Sequence, residues 1–264
     1  MNTVQPERLV LVTGDGPEHR YVANRICMAH DVAEILVCDP APRRAWHRVL
    51  RRDPVRFVDK ALWRIVLAAT RDDAARTAGL RAVLGAQMCD SFHEAQKCRH
   101  VGRASGPELL AAVSSAPPDI LAVYGTSLVP DTVLSKARLA ALNMHTGISP
   151  FYRGTACAFW PVHEGDFDRI GATVHDCTAL VDGGRIHQTA NARPQPGDDL
   201  HRIFARCVEA GAQAYVEVLN QALNGTLKGQ VQDMSVGREY KGSMRGLKAE
   251  LIARWRLRRF HSGA

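Results

Sequence analysis

Aromatic side chains are scarce in this 264-residue chain, 6% of positions, and no apolar run approaches the ~18 residues needed to cross a bilayer. The opening residues, Met1 to Arg8, hold no apolar core of the secretory kind. These absences predict a soluble, cytoplasmic protein. Cysteine is present but unpatterned: seven residues, an odd number, with no Cys-x-x-Cys pair. Reduced, mostly buried thiols fit that usage better than a disulfide framework or a zinc site. None of the eleven histidines falls in a His-x-x-x-His or Glu-x-x-His pattern, so no metal is expected. Repeats and low-complexity linkers are also missing, and nothing points to a long disordered stretch.

What the chain does have is enough apolar residue, 46%, to bury a substantial core, and a surplus of positive charge. The net charge of +7 favours anionic partners such as nucleotides, folates or acidic surfaces. The charge gathers late in the sequence, at Lys241, Arg245, Lys248, Arg254, Arg256, Arg258 and Arg259. A solvated helix face is the plainer reading, and contact with a membrane surface or a ligand phosphate the lesser one.

Arg8 to Thr13 is a short apolar run that ends in Gly14-Asp15-Gly16-Pro17, which reads as a buried strand entering a loop. Pro17 suits the first turn of a helix continuing to about His30. Ala33 to Cys38 is a second strand, so the chain opens with a parallel strand pair joined by a right-handed crossover. From Arg43 to about Cys89 the pattern is helical, with Phe57, Ala61, Leu62, Ile65, Val66 and Ala69 at helical spacing and no strand. Pro107 to Val113 is a short helix. Asp119 to Gly125 and Leu139 to Met144 are further buried strands, and Thr173 to His175 and Arg185 to Thr189 are strands flanking a loop. The stripe from Leu200 to Ala222 marks the longest helix, with Asp198 able to cap its start and Gly225 its end. A basic helix from about Ser243 to Arg259 closes the sequence. The predicted fold is α/β, a Rossmann-like open and mostly parallel sheet, with a helical insertion at 43–95. One domain is expected over 1–230, followed by a short basic helical extension at 231–264.

Asn143 and His145 stand at the end of a predicted central strand, two residues apart and so on one face. In open α/β sheets ligands gather beyond the carboxyl ends of the strands. Asp182, in the loop Leu180-Val181-Asp182-Gly183-Gly184, can reach the same place. An amide, an imidazole and a carboxylate together could run an acyl transfer: the amide N–H stabilises an oxyanion, and the imidazole polarises a carbonyl or moves protons. No Ser or Cys stands in a nucleophile-elbow context, so no covalent acyl-enzyme is suggested. From spacing alone, strand-end residues that merely satisfy loop backbone are the weightier reading. His163, His175 and His187 read as structural or solvated. Phe159 and Trp160 read as core, with an acceptor-site wall as the lesser view.

The combination of Asn143-x-His145, Ser149-Pro150, Tyr152-Arg153-Gly154 and Asp182-Gly183-Gly184 resembles the formyltransferases that use 10-formyltetrahydrofolate, a group that includes glycinamide ribonucleotide, methionyl-tRNA and sugar N-formyltransferases. The resemblance is strongest from about Pro118 to Leu223, weaker over 8–38, and absent over 43–95 and beyond about 230. It implies that Asn143 binds the oxyanion, that His145 is the catalytic imidazole and that Asp182 acts on the amine proton. It also implies that the pterin of the co-substrate docks on Gly125, Thr126, Ser127, Leu128 and Val129, with the segment from Asp176 to Val181 as the other wall.

Two departures bear on the acceptor. The loop after His145 reads Thr146-Gly147-Ile148-Ser149-Pro150 where many members have Ser-Leu-Leu-Pro, so Thr146, Gly147, Ile148, Tyr152 and Arg153 are candidate acceptor contacts. The first loop is not the glycine-rich phosphate loop of the glycinamide ribonucleotide enzymes. Gly14 and Gly16 before a helix N-terminus, with His19 and Arg20, could still hold an anion, although a tight turn needing glycine explains them as well. Methionyl-tRNA is disfavoured because family members that formylate it append a full C-terminal domain. An amino sugar nucleotide is the preferred acceptor, with an amino acid or hydroxyornithine-type amine behind it. A formyltetrahydrofolate hydrolase and a non-catalytic folate- or nucleotide-binding module are the competing readings, and a homodimer is an open possibility.

Overall fold

The computed structural model describes residues 7–40 and 53–263; residues 43–52 of the predicted helical insertion lie outside them. β1 (Leu9–Thr13) is apolar from Leu9 to Val12 and buried on both faces. Leu9 and Leu11 enter one hydrophobic cluster, while Val10 and Val12 enter another on the opposite side, as the period of two in a strand requires. The chain then forms α1 (Pro17–Ala29) and β2 (Val32–Val37), which lies parallel to β1. The predicted strand–helix–strand opening is therefore observed.

Three helices follow: α2 (Pro54–Ala69), α3 (Asp72–Leu84) and α4 (Ala86–Asp90). The helical expectation for this stretch holds over the described residues, but a short strand, β3 (Cys98–His100), adds to the sheet just beyond it. The predicted stripe on α2 does not face the core. Leu62 and Ile65 are 48% and 65% exposed; it is Trp63 and Leu67 that border an internal cavity.

After α5 (Pro107–Ser115) come β4 (Ile120–Tyr124), the short α6 (Asp131–Leu134) and β5 (Ala140–His145). Next are β6 (Tyr152–Gly154), α7 (Trp160–Glu164), β7 (Gly171–Asp176) and β8 (Ile186–Asn191). The main sheet has seven strands in the order β3-β2-β1-β4-β5-β7-β8. The first five are parallel, and β7 and β8 are antiparallel.

α8 (Leu200–Leu223) lies across one face of this sheet, where its Tyr215 hydroxyl donates to the carbonyls of Leu142 and Val123 at 2.8 and 3.2 Å. Gly211 permits the close approach, since a Cβ there would meet Ala172 Cβ at 2.7 Å and Met144 Sδ at 2.9 Å. The N-cap is Asp199, not Asp198: its carboxylate accepts from the backbone of His201 and Arg202 at 3.0 and 2.9 Å. Asp198 instead pairs with Arg206 and accepts from Gln195 N–H at 2.7 Å. Two adjacent aspartates offer the same local signal, and only the tertiary partner separates them.

The residues beyond 230 return to the body of the protein. β9 (Arg238–Tyr240) pairs with β6 in a two-stranded parallel sheet. α9 (Leu247–Ser262) starts four residues later than expected from Ser243 and buries Ala249, Ala253 and Leu257. A third cluster forms there, in which Trp160 and Tyr152 stack on Tyr240 at 4.7 and 5.7 Å. The core reading of Phe159 and Trp160 matches this burial, at 5% and 3% exposure.

Candidate active site

Asn143 and His145 share one face of β5 at its carboxyl end, above a cleft of about 520 Å³. The antiparallel neighbour β7 sets His175 directly opposite Asn143. The His175 Nδ1 lies 2.8 Å from the Asp176 carbonyl and its Nε2 lies 3.2 Å from Asn143 Nδ2. Assigning the Nδ1 proton to that carbonyl leaves Nε2 to accept one amide N–H. The amide is thereby pinned, with its second N–H available to a ligand oxygen. His175 read as structural from the sequence; its place at the cleft follows only from the strand register, which no local motif announces.

His145 is buried, with Nε2 3.0 Å from the Tyr152 carbonyl and Nδ1 3.4 Å from Asp182 Oδ2. Burial pushes its pKa down; Asp182 works against that shift, and His175 adds to it. The neutral ring donates Nε2–H to Tyr152 and turns the Nδ1 lone pair to the carboxylate, so a proton arriving at Nδ1 is received by an ion pair. Gly147 makes the Tyr152 contact feasible, because a Cβ there would meet Cys157 Cβ and His145 Nε2, both at 2.5 Å. Thr173 braces the same loop, donating to the Gly147 carbonyl at 2.8 Å and accepting from Ser149 N–H at 3.0 Å.

Asp182 sits in the left-handed region with φ +47°, uncommon for a residue with a Cβ. Burial pushes its carboxyl up, but His145, then His175 when a proton sits on its Nε2, 3.5 Å from Asp182 Oδ1, and the Gly154 N–H at 2.7 Å outweigh it and hold the pKa at about 2. From beyond residue 230, Gln232 Nε2 donates to the carbonyls of Asp182 and Gly184, the first at 2.9 Å. Gln232 was not among the candidate residues, because a lone glutamine in a polar tail carries no signal.

The other candidates divide. Gly125, Thr126, Ser127, Leu128 and Val129 form one wall of the cleft, and Val181 the opposite one. Asp176 is not on that wall: Arg185 and His187 hold its carboxylate, each at 2.7 Å. Thr146 lines the cleft. Ile148 is buried in the core, and the Tyr152 side chain is buried with its hydroxyl on Asp166 at 3.0 Å. Arg153 bonds the Pro150 carbonyl at 3.1 Å. Gly147, Ile148, Tyr152 and Arg153 do not border this cleft; Gly147 and the Tyr152 carbonyl instead lie against His145.

Gly14 and Gly16 border an adjoining cleft at the ends of β1 and β2, separated from the first by His19. Gly16 N–H donates to His19 Nδ1 at 2.9 Å, while His19 Nε2 lies 3.2 Å from the Gly125 carbonyl. Arg20 turns away to Asp15 at 2.7 Å and the Asp90 carbonyl at 3.0 Å. With Glu18 buried in the first turn of α1, the N-terminus there already faces a carboxylate, which disfavours an anion. Among the described residues no group of three or more metal-ligating side chains converges.

Residues 60–219 match the family model described as Formyl transferase. The helical stretch from 60 to 95, which carried no visible resemblance, thus falls inside the match. Methionyl-tRNA formyltransferases are among the relatives: that of Desulfotalea psychrophila is 31% identical over 128 residues, 48% of this chain and 39% of its own, and that of Frankia casuarinae is 32% identical over 128 residues, 48% of this chain and 37% of its own. The chain thus spans about two-fifths of the length of these curated relatives. Among solved structures, a sugar N-formyltransferase from Shewanella sp FDAARGOS_354 aligns with TM-score 0.59 at 11% identity, covering 94% of this chain and 87% of that one. Glycinamide ribonucleotide transformylase 1 from Symbiobacterium toebii aligns with TM-score 0.55 at 18% identity, covering 88% and 98%. At these identities the two structures speak for the fold. With the family model covering more than half of its length, the chain belongs to the formyl transferase family.

Proposed function

We propose that this protein transfers a formyl group from 10-formyltetrahydrofolate to the primary amine of a small acceptor, with an amino sugar nucleotide as the preferred class. The observation that carries the reading is the convergence of Asn143, His145 and Asp182 on one cleft, with His175 locking the amide. The pterin docks between the Gly125–Val129 wall and Val181. The amine nitrogen attacks the formyl carbon, a C–N bond forms, and the carbonyl oxygen gains charge that the free Asn143 N–H stabilises. The proton lost by the amine passes to His145 Nδ1, where Asp182 compensates its charge. That proton then returns to the folate nitrogen as the bond from formyl carbon to that nitrogen breaks. No covalent enzyme intermediate is needed; positioning and charge stabilisation are the protein's share.

The sugar-nucleotide preference is supported by the size of the cleft, about 520 Å³. Its fold neighbours include an N-formyltransferase from Helicobacter canadensis whose structure is described as a complex with folinic acid and dTDP-3-aminofucose. The names of the methionyl-tRNA formyltransferase relatives make an aminoacyl-tRNA the competing acceptor. The test is a screen of amines, aminoacyl-tRNA among them, with 10-formyltetrahydrofolate, following tetrahydrofolate release. Acceleration by an amino sugar nucleotide is expected. Fast release in water alone would transfer the reading to a hydrolase, and absence of folate binding would remove both.

A further inference from the structure

α2 is turned inside out: its polar side faces the protein and its apolar side faces solvent. Lys60 Nζ donates to the Gly242 carbonyl and Asp59 Oδ1 accepts from Lys248 N–H, both at 3.0 Å, while Arg245 lies over the Trp63 ring at 5.6 Å. On the opposite side Val55, Val58, Leu62, Ile65 and Ala69 recur at intervals of three and four residues. They form one stripe roughly 20 Å long. Val55 and Val58 are 79% and 55% exposed, and Val66 borders the stripe. A surface helix ordinarily aims such a stripe at the core. An apolar face left in solvent marks a contact with something else.

The charge beside the stripe points to the chemistry of that contact. α9 begins against α2, through the bond from Lys248 to Asp59, and presents Leu251 and Trp255 to solvent at 58% and 54% exposure. One turn from these two, on the same face, stand the exposed side chains of Lys248, Arg258 and Arg259. None of the three has a carboxylate partner among the described residues, because nearby Glu250 is taken by Arg245 and Arg254, each at 3.0 Å. In the sequence just before α2, residues 43–52 add five arginines and no Asp or Glu. A second copy of the chain in an isologous contact would set these cations against themselves. An acidic lipid layer pairs with the cations and takes up the apolar side chains together. No described helix is long and apolar enough to cross a membrane, so the contact is with the surface.

We infer that α2, with the adjoining face of α9, docks this protein on an anionic phospholipid surface, Val55, Val58, Leu62 and Ile65 pointing toward the acyl chains. The inference does not rest on the formyl-transfer reading. The inner side of α2, through Trp63 and Leu67, borders a cavity that shares Thr146 and Phe204 with the cleft of Asn143 and His145. A protein docked in this way carries that cleft toward the membrane.

The test is co-sedimentation of the full chain with sucrose-loaded vesicles of phosphatidylcholine, alone or mixed equally with phosphatidylglycerol, beside sedimentation velocity without lipid. Binding to the mixed vesicles is expected to be about tenfold or more tighter than to phosphatidylcholine alone, and to weaken as salt is raised. Leu62→Glu combined with Ile65→Glu should weaken it about tenfold or more with Tm unchanged, since both side chains lie in solvent. Lys248→Gln with Arg258→Gln and Arg259→Gln should remove most of the preference for phosphatidylglycerol. No binding to the mixed vesicles, equal binding to the two kinds, or a Leu62→Glu, Ile65→Glu protein that binds as wild type would overturn the proposal. A lipid-free dimer that this double variant dissociates would assign the face to a second copy. A fall in its Tm without vesicle binding would assign the face to the chain's own residues, and either result overturns membrane docking.

Discussion

Asp182 and His145 divide a proton unequally, and the direction of each shift says how. The carboxyl is held at about 2 against an ordinary 3.8, while burial keeps the imidazole below its usual value despite the carboxylate beside it. Near neutral pH the pair is therefore a carboxylate and a neutral ring, poised to accept. A pKa depressed in the folded state contributes stability that is complete above the unfolded value and lost as pH falls through the folded one. The advantage in Tm of the wild type over Asp182→Asn should thus shrink as pH falls between about 4 and 2 and vanish below, corresponding to about 2 kcal/mol at its full extent while His145 carries its proton. The same variant should move the acid limb of kcat/KM to lower pH, because the group that raises the His145 pKa is gone. Asn143→Ala should lower kcat about 10²–10³-fold with little change in KM, the effect of losing one oxyanion donor; equal losses in kcat and substrate binding would argue for a ground-state role. Asn143, His145 and Asp182, which line one cleft, were singled out in the sequence by the strand-end position of the first two, the loop glycines after the third and the family resemblance that joins them. His175 and Gln232 were not, since the one acts through strand register and the other through a contact 50 residues away along the chain.

Among the elements, the central strands were readable because burial on both faces writes them as unbroken apolar runs, as in β1 and β4. β3, β6 and β9 span three residues each, too short for any period to show. The α2 stripe illustrates the converse: helical spacing was correctly read as a helix, yet spacing alone does not say which neighbour a face meets. At α8 the N-cap assignment is open to direct measurement. Asp199→Ala should cost about 1 kcal/mol, seen as a fall in Tm of roughly 2–4 °C. Asp198→Ala should instead release Arg206 and leave the helix N-terminus capped. If the cap lay at Asp198, the amide-exchange protection of His201 and Arg202 would be lost in that variant and kept in Asp199→Ala.

For the molecule as a whole, the sheet and the site are not finished by the family-matching residues 60–219 alone. β1 and β2 precede them, while β9, α9 and Gln232 follow. Replacing Gln232 with Ala frees the carbonyls of Asp182 and Gly184, and should lower kcat without altering folate binding. If turnover is unchanged while Tm falls, the residue serves stability only. This last clasp also bears on how the protein is made. A nascent chain extended only through α8 already contains the amide, the imidazole and the carboxylate, and has every strand of the main sheet. It still lacks Gln232, the side chain that fastens the Asp182 loop, so that clasp is the last of these parts to be synthesised.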